Sequence, residues 1–213
     1  MRFKNQLIVL AALSATLSVA FGAEDTGEQA LAASTRTMLE SVHTKLEKEF
    51  GETAGNGYSR VQRIQSHAVK DRSVFAAHDE SGAWKITAFN LVGLTYSATP
   101  VVHLTPIPAN QKEARLQKLV PIQKRDANTF EAAAMEKLQK GENVVARMNA
   151  NHDIEMIGAI RATENCMSCH ATVPRKDGDT TVNLNVKKGD LLGAFSYVLK
   201  RPEEAAMQVA SRK

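Results

Sequence analysis

Both cysteines of the 213-residue chain lie in one pentapeptide, Cys166-Met167-Ser168-Cys169-His170. Two thiols three positions apart, followed at once by an imidazole, form the pattern for covalent attachment of a c-type haem. The thiols add across the two vinyl groups of the porphyrin and make thioether bonds. Two intervening residues let both sulfurs reach the same edge of the ring, and the adjacent His170 takes the proximal iron position. Three plainer chemistries compete. A structural disulfide suits an exported chain but leaves His170 without a task. A thioredoxin-like CxxC opens a helix after an early strand, whereas this pair comes late in the chain. A zinc cage needs four ligands, and there is no second cysteine pair. The spacing therefore predicts one haem c, bound through Cys166 and Cys169, with His170 as an iron ligand.

A second axial ligand must come from elsewhere. The methionines are Met38, Met135, Met148, Met156, Met167 and Met207, beside the initiator. Met135 and Met156 fall on apolar faces, where core packing is the plainer role, and Met167 sits inside the attachment turn. Among the remaining histidines, His103 lies inside a strand, and His43, His78 and His152 stand in charged or loop contexts. His67 closes a short helical segment, VQRIQSHAV, with Val61 and Ile64 on its apolar side. On this reading His67 is the expected distal metal ligand, and a methionine, His103, or an open or water-bound iron position are the alternatives.

Haem c is attached outside the cytoplasm, so the amino terminus bears on the same question. Residues 1–22 carry Arg2 and Lys4, then an apolar run from Leu7 to Phe21, then small residues at Ala20 and Gly22. This is the pattern of a secretory signal peptide cut before Ala23. The run is shorter than the roughly 20 apolar residues a spanning helix needs, so no permanent membrane anchor is expected after processing, and the expected compartment is the periplasm. Removing Arg2 and Lys4 from 27 basic residues leaves 25 against 23 acidic ones. The mature chain is nearly neutral and lacks a dense basic patch with interleaved aromatics, which argues against nucleic acid as a partner.

The elements that position the motif follow from periodicity. Glu28 to Phe50 reads as a helix with Leu31, Thr35, Met38, Leu39, Val42, Leu46 and Phe50 on one face. Gly51 to Gly57 is a loop, and Tyr58 to Val69 a second helix. Ala83 to Leu94 and Pro100 to Leu104 read as strands. A short helix is expected within Ala109 to Val120. Asn128 to Lys140 is a helix with a capping box formed by Asn128 and Glu131. Val144 to Met148, Ile154 to Ala162, Thr180 to Val186 and Asp190 to Leu199 return to strand character. In the last strand, strict alternation groups Leu191, Phe195 and Tyr197 on one face. The order predicts an α+β fold: N-terminal helices, then an antiparallel sheet with helices on one side. The expected division is a signal peptide (1–22), a helical segment (23–82), a haem-bearing sheet domain (83–200) and a polar tail (201–213).

Two stretches carry a family likeness. IRATENCMSCHA, Ile160 to Ala171, and KKGDLLGAFSYVL, Lys187 to Leu199, resemble the periplasmic mono-haem c-type cytochrome domains with a PAS-like fold. The resemblance covers about Trp84 to Leu199. It implies thioether sites at Cys166 and Cys169, a proximal ligand at His170, and a closing strand shaped by Gly189, Asp190 and Gly193. Some of these relatives take a distal cysteine ligand from the N-terminal helical region. This chain has no cysteine there, so that ligation is closed to it, while a helix-borne ligand such as His67 fits the pattern.

Three functions follow from a single haem. With two strong protein ligands the iron changes redox state and binds no substrate, which makes an electron carrier working with a redox partner protein. With a displaceable ligand it makes a redox or gas sensor, and because the chain ends at Lys213 any signal would pass through a partner. A peroxidase-type enzyme needs an open iron position and a distal acid–base set, and no such His/Arg set stands out. The small all-helical carriers place the motif near the amino terminus, and the four-helix cytochromes place it in their last helix. Here a long stretch with strand character follows His170. The expected function is periplasmic electron transfer, not catalysis.

Overall fold

The computed structural model describes residues 31–93, 100–170, 175–177, 180–182 and 186–202. The expected signal peptide, Met207 and most of the polar tail lie outside them.

Two helices lead. α1 (Ala33–Glu52) buries Thr35, Met38, Leu39, His43, Leu46 and Phe50. α2 (Gly57–Lys70) buries Val61, Ile64, Gln65 and Ala68, and its N-cap Asn56 accepts the Ser59 N–H at 2.9 Å. The strands are β1 (Ala76–Asp79), β2 (Gly82–Gly93), β3 (Val101–Leu104), β4 (Gln123–Asp126), β5 (Val144–Met148), β6 (Ile154–Arg161) and, at the end, β9 (Leu191–Lys200). Between β3 and β4 runs α3 (Gln111–Leu116), and between β4 and β5 runs α4 (Thr129–Gln139). A small hairpin, β7 (Arg175–Asp177) with β8 (Thr180–Val182), follows α5 (Glu164–His170).

The main sheet has seven strands, ordered β4-β3-β2-β9-β6-β5, with β1 on β2, and every pairing is antiparallel. The α+β expectation holds at this level. The helices do not share one side, however. α1 and α2 cover one face, where Phe89, Met156, Phe195, Tyr197 and Leu199 meet Leu39, Leu46 and Ile64. α4 covers the opposite face, packing Ala134, Met135 and Leu138 on Val92, Val145, Ile157, Ala159 and Ala194. The reason is polar: buried Glu131 of α4 accepts from Ser196 on that face of β9 at 2.8 Å and from Arg125 of β4 at 2.6 and 2.8 Å. The Asn128–Glu131 capping box forms as expected.

Buried polar ties fix the two leading helices to the sheet. Gln65 of α2 donates to the carbonyls of Phe89 (3.2 Å) and Thr105 (2.7 Å). Asp79 at the tip of the β1–β2 hairpin accepts from Thr35 of α1 at 2.7 Å and from the Trp84 indole at 2.9 Å. Each tie satisfies a group that would otherwise be desolvated without a partner.

Strict alternation in β9 breaks near its start. Ile160 pairs with Gly193 and Arg161 with Leu191, so Leu192 is an extra residue, a β-bulge. Leu192 therefore packs on the α1 side and Leu191 on the α4 side, the reverse of the face expected for Leu191.

Candidate functional site

α5 carries Cys166, Cys169 and His170 at positions i, i+3 and i+4, which is one side of a helix. The Cys166 thiol is free and half-buried, and its Sγ lies 3.3 Å from Thr163 Oγ1. The expected strand runs into the motif: β6 ends at Arg161, and α5 begins three residues later.

The junction before α5 is held tightly. Ala162 donates to the Asp190 carbonyl at 2.8 Å and accepts from the Gly189 N–H at 2.9 Å. The Arg161 guanidinium bonds Asn143 Oδ1 and the carbonyls of Leu138 and Glu142 at 2.9–3.1 Å. Across the junction lies the turn that feeds β9. Gly189 adopts φ 89°, a conformation glycine takes freely. Asp190 accepts the Lys187 N–H at 2.7 Å. At Gly193 a Cβ would lie 2.7 Å from the Val92 carbonyl oxygen, so a side chain there would force β2 and β9 apart. These three residues do shape the start of the closing strand. The exposed pair Lys188–Glu164, at 3.0 Å, adds little in open solvent.

The leading helices reach the same junction through α1. Glu47 accepts the Arg161 backbone N–H at 3.2 Å. Burial raises the Glu47 carboxyl, opposed by Arg161. One helical turn earlier, His43 is only 3% exposed. Its Nδ1 lies 3.1 Å from the Tyr197 hydroxyl, and its ring sits edge-on to Phe195 and Tyr197. Its Nε2 has no hydrogen-bond partner; Glu47 Oε2, at 3.8 Å, is too far for one. Burial holds the His43 imidazole at about 4, opposed by the Ala159 backbone, so the ring is neutral at physiological pH. Gly158 on β6 makes the space: a Cβ there would lie 2.2 Å from His43 Nδ1. Burial also keeps the Tyr197 phenol neutral.

The other expected ligand candidates lie farther off. His67 is on the outer side of α2, 61% exposed, with Nδ1 3.1 Å from Glu49. It lines a small basic cleft with Arg63, Lys70, Arg115 and Lys118. His103 is on β3, half-buried beside Lys124, with Nδ1 unpartnered. Burial lowers its pKa, and Lys124 adds to the effect. Met135 and Met156 are core residues. His78 and His152 are exposed. Sequence reasoning passed over His43 because of the charges around it. The signal was its spacing: it stands four residues after Leu39 and three before Leu46, on the buried stripe of α1.

A cavity of about 590 Å³ lies elsewhere, at the opposite end of β9, among Phe75, Ile86, Ile107 and Val198. Cys166 is not among the described residues that line it. Among the described residues, no three His, Cys, Asp or Glu side chains gather as a metal cage. Nor is any described helix long and apolar enough to cross a membrane.

Residues 25–199 match the family model described as Tll0287-like, Tll0287. The chain belongs to the Tll0287-like family. The match begins before α1 and ends within β9, so the family unit includes the leading helices as well as the sheet. No curated protein and no solved structure matches the chain.

Proposed function

We propose that this member of the Tll0287-like family is an exported mono-haem c-type cytochrome that transfers electrons in the periplasm. The observation that carries the reading is the attachment motif itself, with Cys166, Cys169 and His170 on one side of a helix that leaves the sheet beside its central strands. The donor set fits the group: a free thiol at Cys166, a second cysteine one turn on, and an imidazole directly after it. When bound, the haem supplies one-electron chemistry at its iron.

The chain's own residues supply the rest. Cys166 and Cys169 would tether the porphyrin through thioethers, and His170 would ligate the iron. The anchored Arg161–Thr163 junction would hold that helix to the sheet, and the two apolar clusters would limit water near it. The order β3-β2-β9-β6-β5, in which the last strand lies between β2 and β6, supports a PAS-like reading of the sheet. Electron transfer is preferred to sensing or peroxidase chemistry because a second histidine is available to close the iron; His67, the choice from sequence, sits in a basic, solvent-facing cleft.

The test is the intact mass of periplasmic protein made together with haem-maturation factors. The chain should start at Ala23 and carry the added mass of one haem, and replacing both Cys166 and Cys169 by Ala should remove that addition. A wild-type chain without the addition would refute the reading. A haem that binds carbon monoxide readily in the wild type would shift it to sensing.

A further inference from the structure

We propose that His43, through Nε2, is the second axial ligand of the iron. This rests on the haem reading above. A buried polar atom with no partner is rare in a folded protein and asks for an explanation. His43 Nε2 is such an atom, on a side chain only 3% exposed. Its other nitrogen is held by the Tyr197 hydroxyl at 3.1 Å. With Nδ1–H donating to that oxygen, Nε2 keeps a bare lone pair, which is the tautomer a metal requires. Fixing one ring nitrogen so that the other can ligate is the usual outer-shell arrangement of a metal-bound histidine.

The position agrees. His43 lies over Gly158, and α5 starts six residues further along that strand's path. Nε2 lies 3.8 Å from Oε2 of Glu47, the residue that grips Arg161 at the end of β6. The free nitrogen therefore faces along α1 toward the junction from which the attachment helix departs. Among the described residues His103 is the other histidine with a buried, unpartnered nitrogen, but β3 is separated from β6 by β2 and β9. Three strand spacings place it roughly 14 Å from β6 across the sheet. His67 has a carboxylate partner and open solvent.

The test compares absorption and electron paramagnetic resonance spectra of the haem-loaded full chain and three variants. The wild type should be low-spin and bind no carbon monoxide. His43→Ala should keep one covalent haem by mass, become high-spin and gain carbon monoxide binding, with added imidazole restoring the low-spin spectrum. His43→Met, which keeps the space filled if the alanine variant fails to fold, should develop the long-wavelength band of methionine–iron ligation. Tyr197→Phe should stay low-spin with a shifted midpoint potential, because the Nδ1 partner is lost. A wild-type low-spin spectrum in loaded His43→Ala or His43→Met overturns the assignment, as does loss of that spectrum in His67→Ala. A wild-type chain without haem mass overturns the haem reading itself, and the assignment with it.

Discussion

Gly158→Ala tests whether the His43 seat is as tight as its geometry requires. A methyl group at this position would lie 2.2 Å from Nδ1, 2.5 Å from Cε1 and 2.7 Å from Cγ of the imidazole, against 3.4 Å at the start of ordinary contact. The ring must retreat by about 1.2 Å at its closest atom. It cannot do so with α1, because Leu39 and Leu46 on either side of it are fully buried. It cannot tilt freely either, because Phe195 and Tyr197 stand edge-on beside it. Overpacking of this kind costs about 1–3 kcal/mol. Losing the contact between His43 and Tyr197 costs about 1 kcal/mol more. Against this, Gly158 is not among the glycines with positive φ, so alanine gains about 0.4–1 kcal/mol by restricting the unfolded chain. The net is a destabilisation of roughly 2–3 kcal/mol, a fall in Tm of roughly 4–12 °C for a chain of this size. Thermal unfolding followed by circular dichroism measures it. The double variant Gly158→Ala/His43→Ala should recover much of the loss, since the methyl group then fills space that the ring has vacated. A variant at least as stable as the wild type, or single losses that simply add, would refute the packing argument.

Two further outcomes follow from the polar network. Arg125→Ala leaves the 2%-exposed Glu131 carboxylate without its two-pronged partner; because the Arg125 side chain is 39% exposed, the usual cost of breaking a buried pair falls to about 2 kcal/mol. A urea midpoint unchanged in that variant would show that Asn128 and Ser196 suffice for Glu131. Burial alone would raise the Asp79 carboxyl, but hydrogen bonds from Ser81, Thr35 and Trp84 outweigh it and hold the group at about 2 rather than 3.8. Its folded pKa lies below its unfolded one, so its contribution is present above pH 3.8 and is lost as the pH falls toward 2. Asp79→Asn should flatten the acid limb of the stability curve in that window, by about 1 kcal/mol after solvent screening; an unchanged limb would show that Asp79 does not carry it.

The elements most legible in the sequence were those whose own residues supply a period. α1, α2 and α4 follow their apolar stripes, α2 and α4 also their asparagine caps, and β5 runs over the five residues that its apolar character marked. What stayed hidden depends on neighbours. β4 is Gln-Lys-Arg-Asp, four residues with no apolar alternation, and it is a strand because β3 offers an open edge. β1 is equally short and owes its strand to β2. The side taken by α4 is set by Glu131 and Ser196, 65 residues apart in sequence. The bulge at Leu192 arises where two strands must pair around an anchored junction, a constraint that no local window contains.

The candidate site divides along the same line. The proposed attachment residues announce themselves because the chemistry of their motif is written in five consecutive positions. His43 does not, because its meaning is made by Tyr197, 154 residues away, and by the absence of a side chain at Gly158. Charged neighbours such as Lys45, Glu47 and Lys48 gave its stretch of sequence a solvated look. A helix nevertheless sorts residues by angle, not by adjacency. Position 43 falls with Thr35, Leu39, Leu46 and Phe50 on the buried side. A histidine on that stripe must find a partner for each ring nitrogen or leave one bare, and here the sheet supplies a partner for only one.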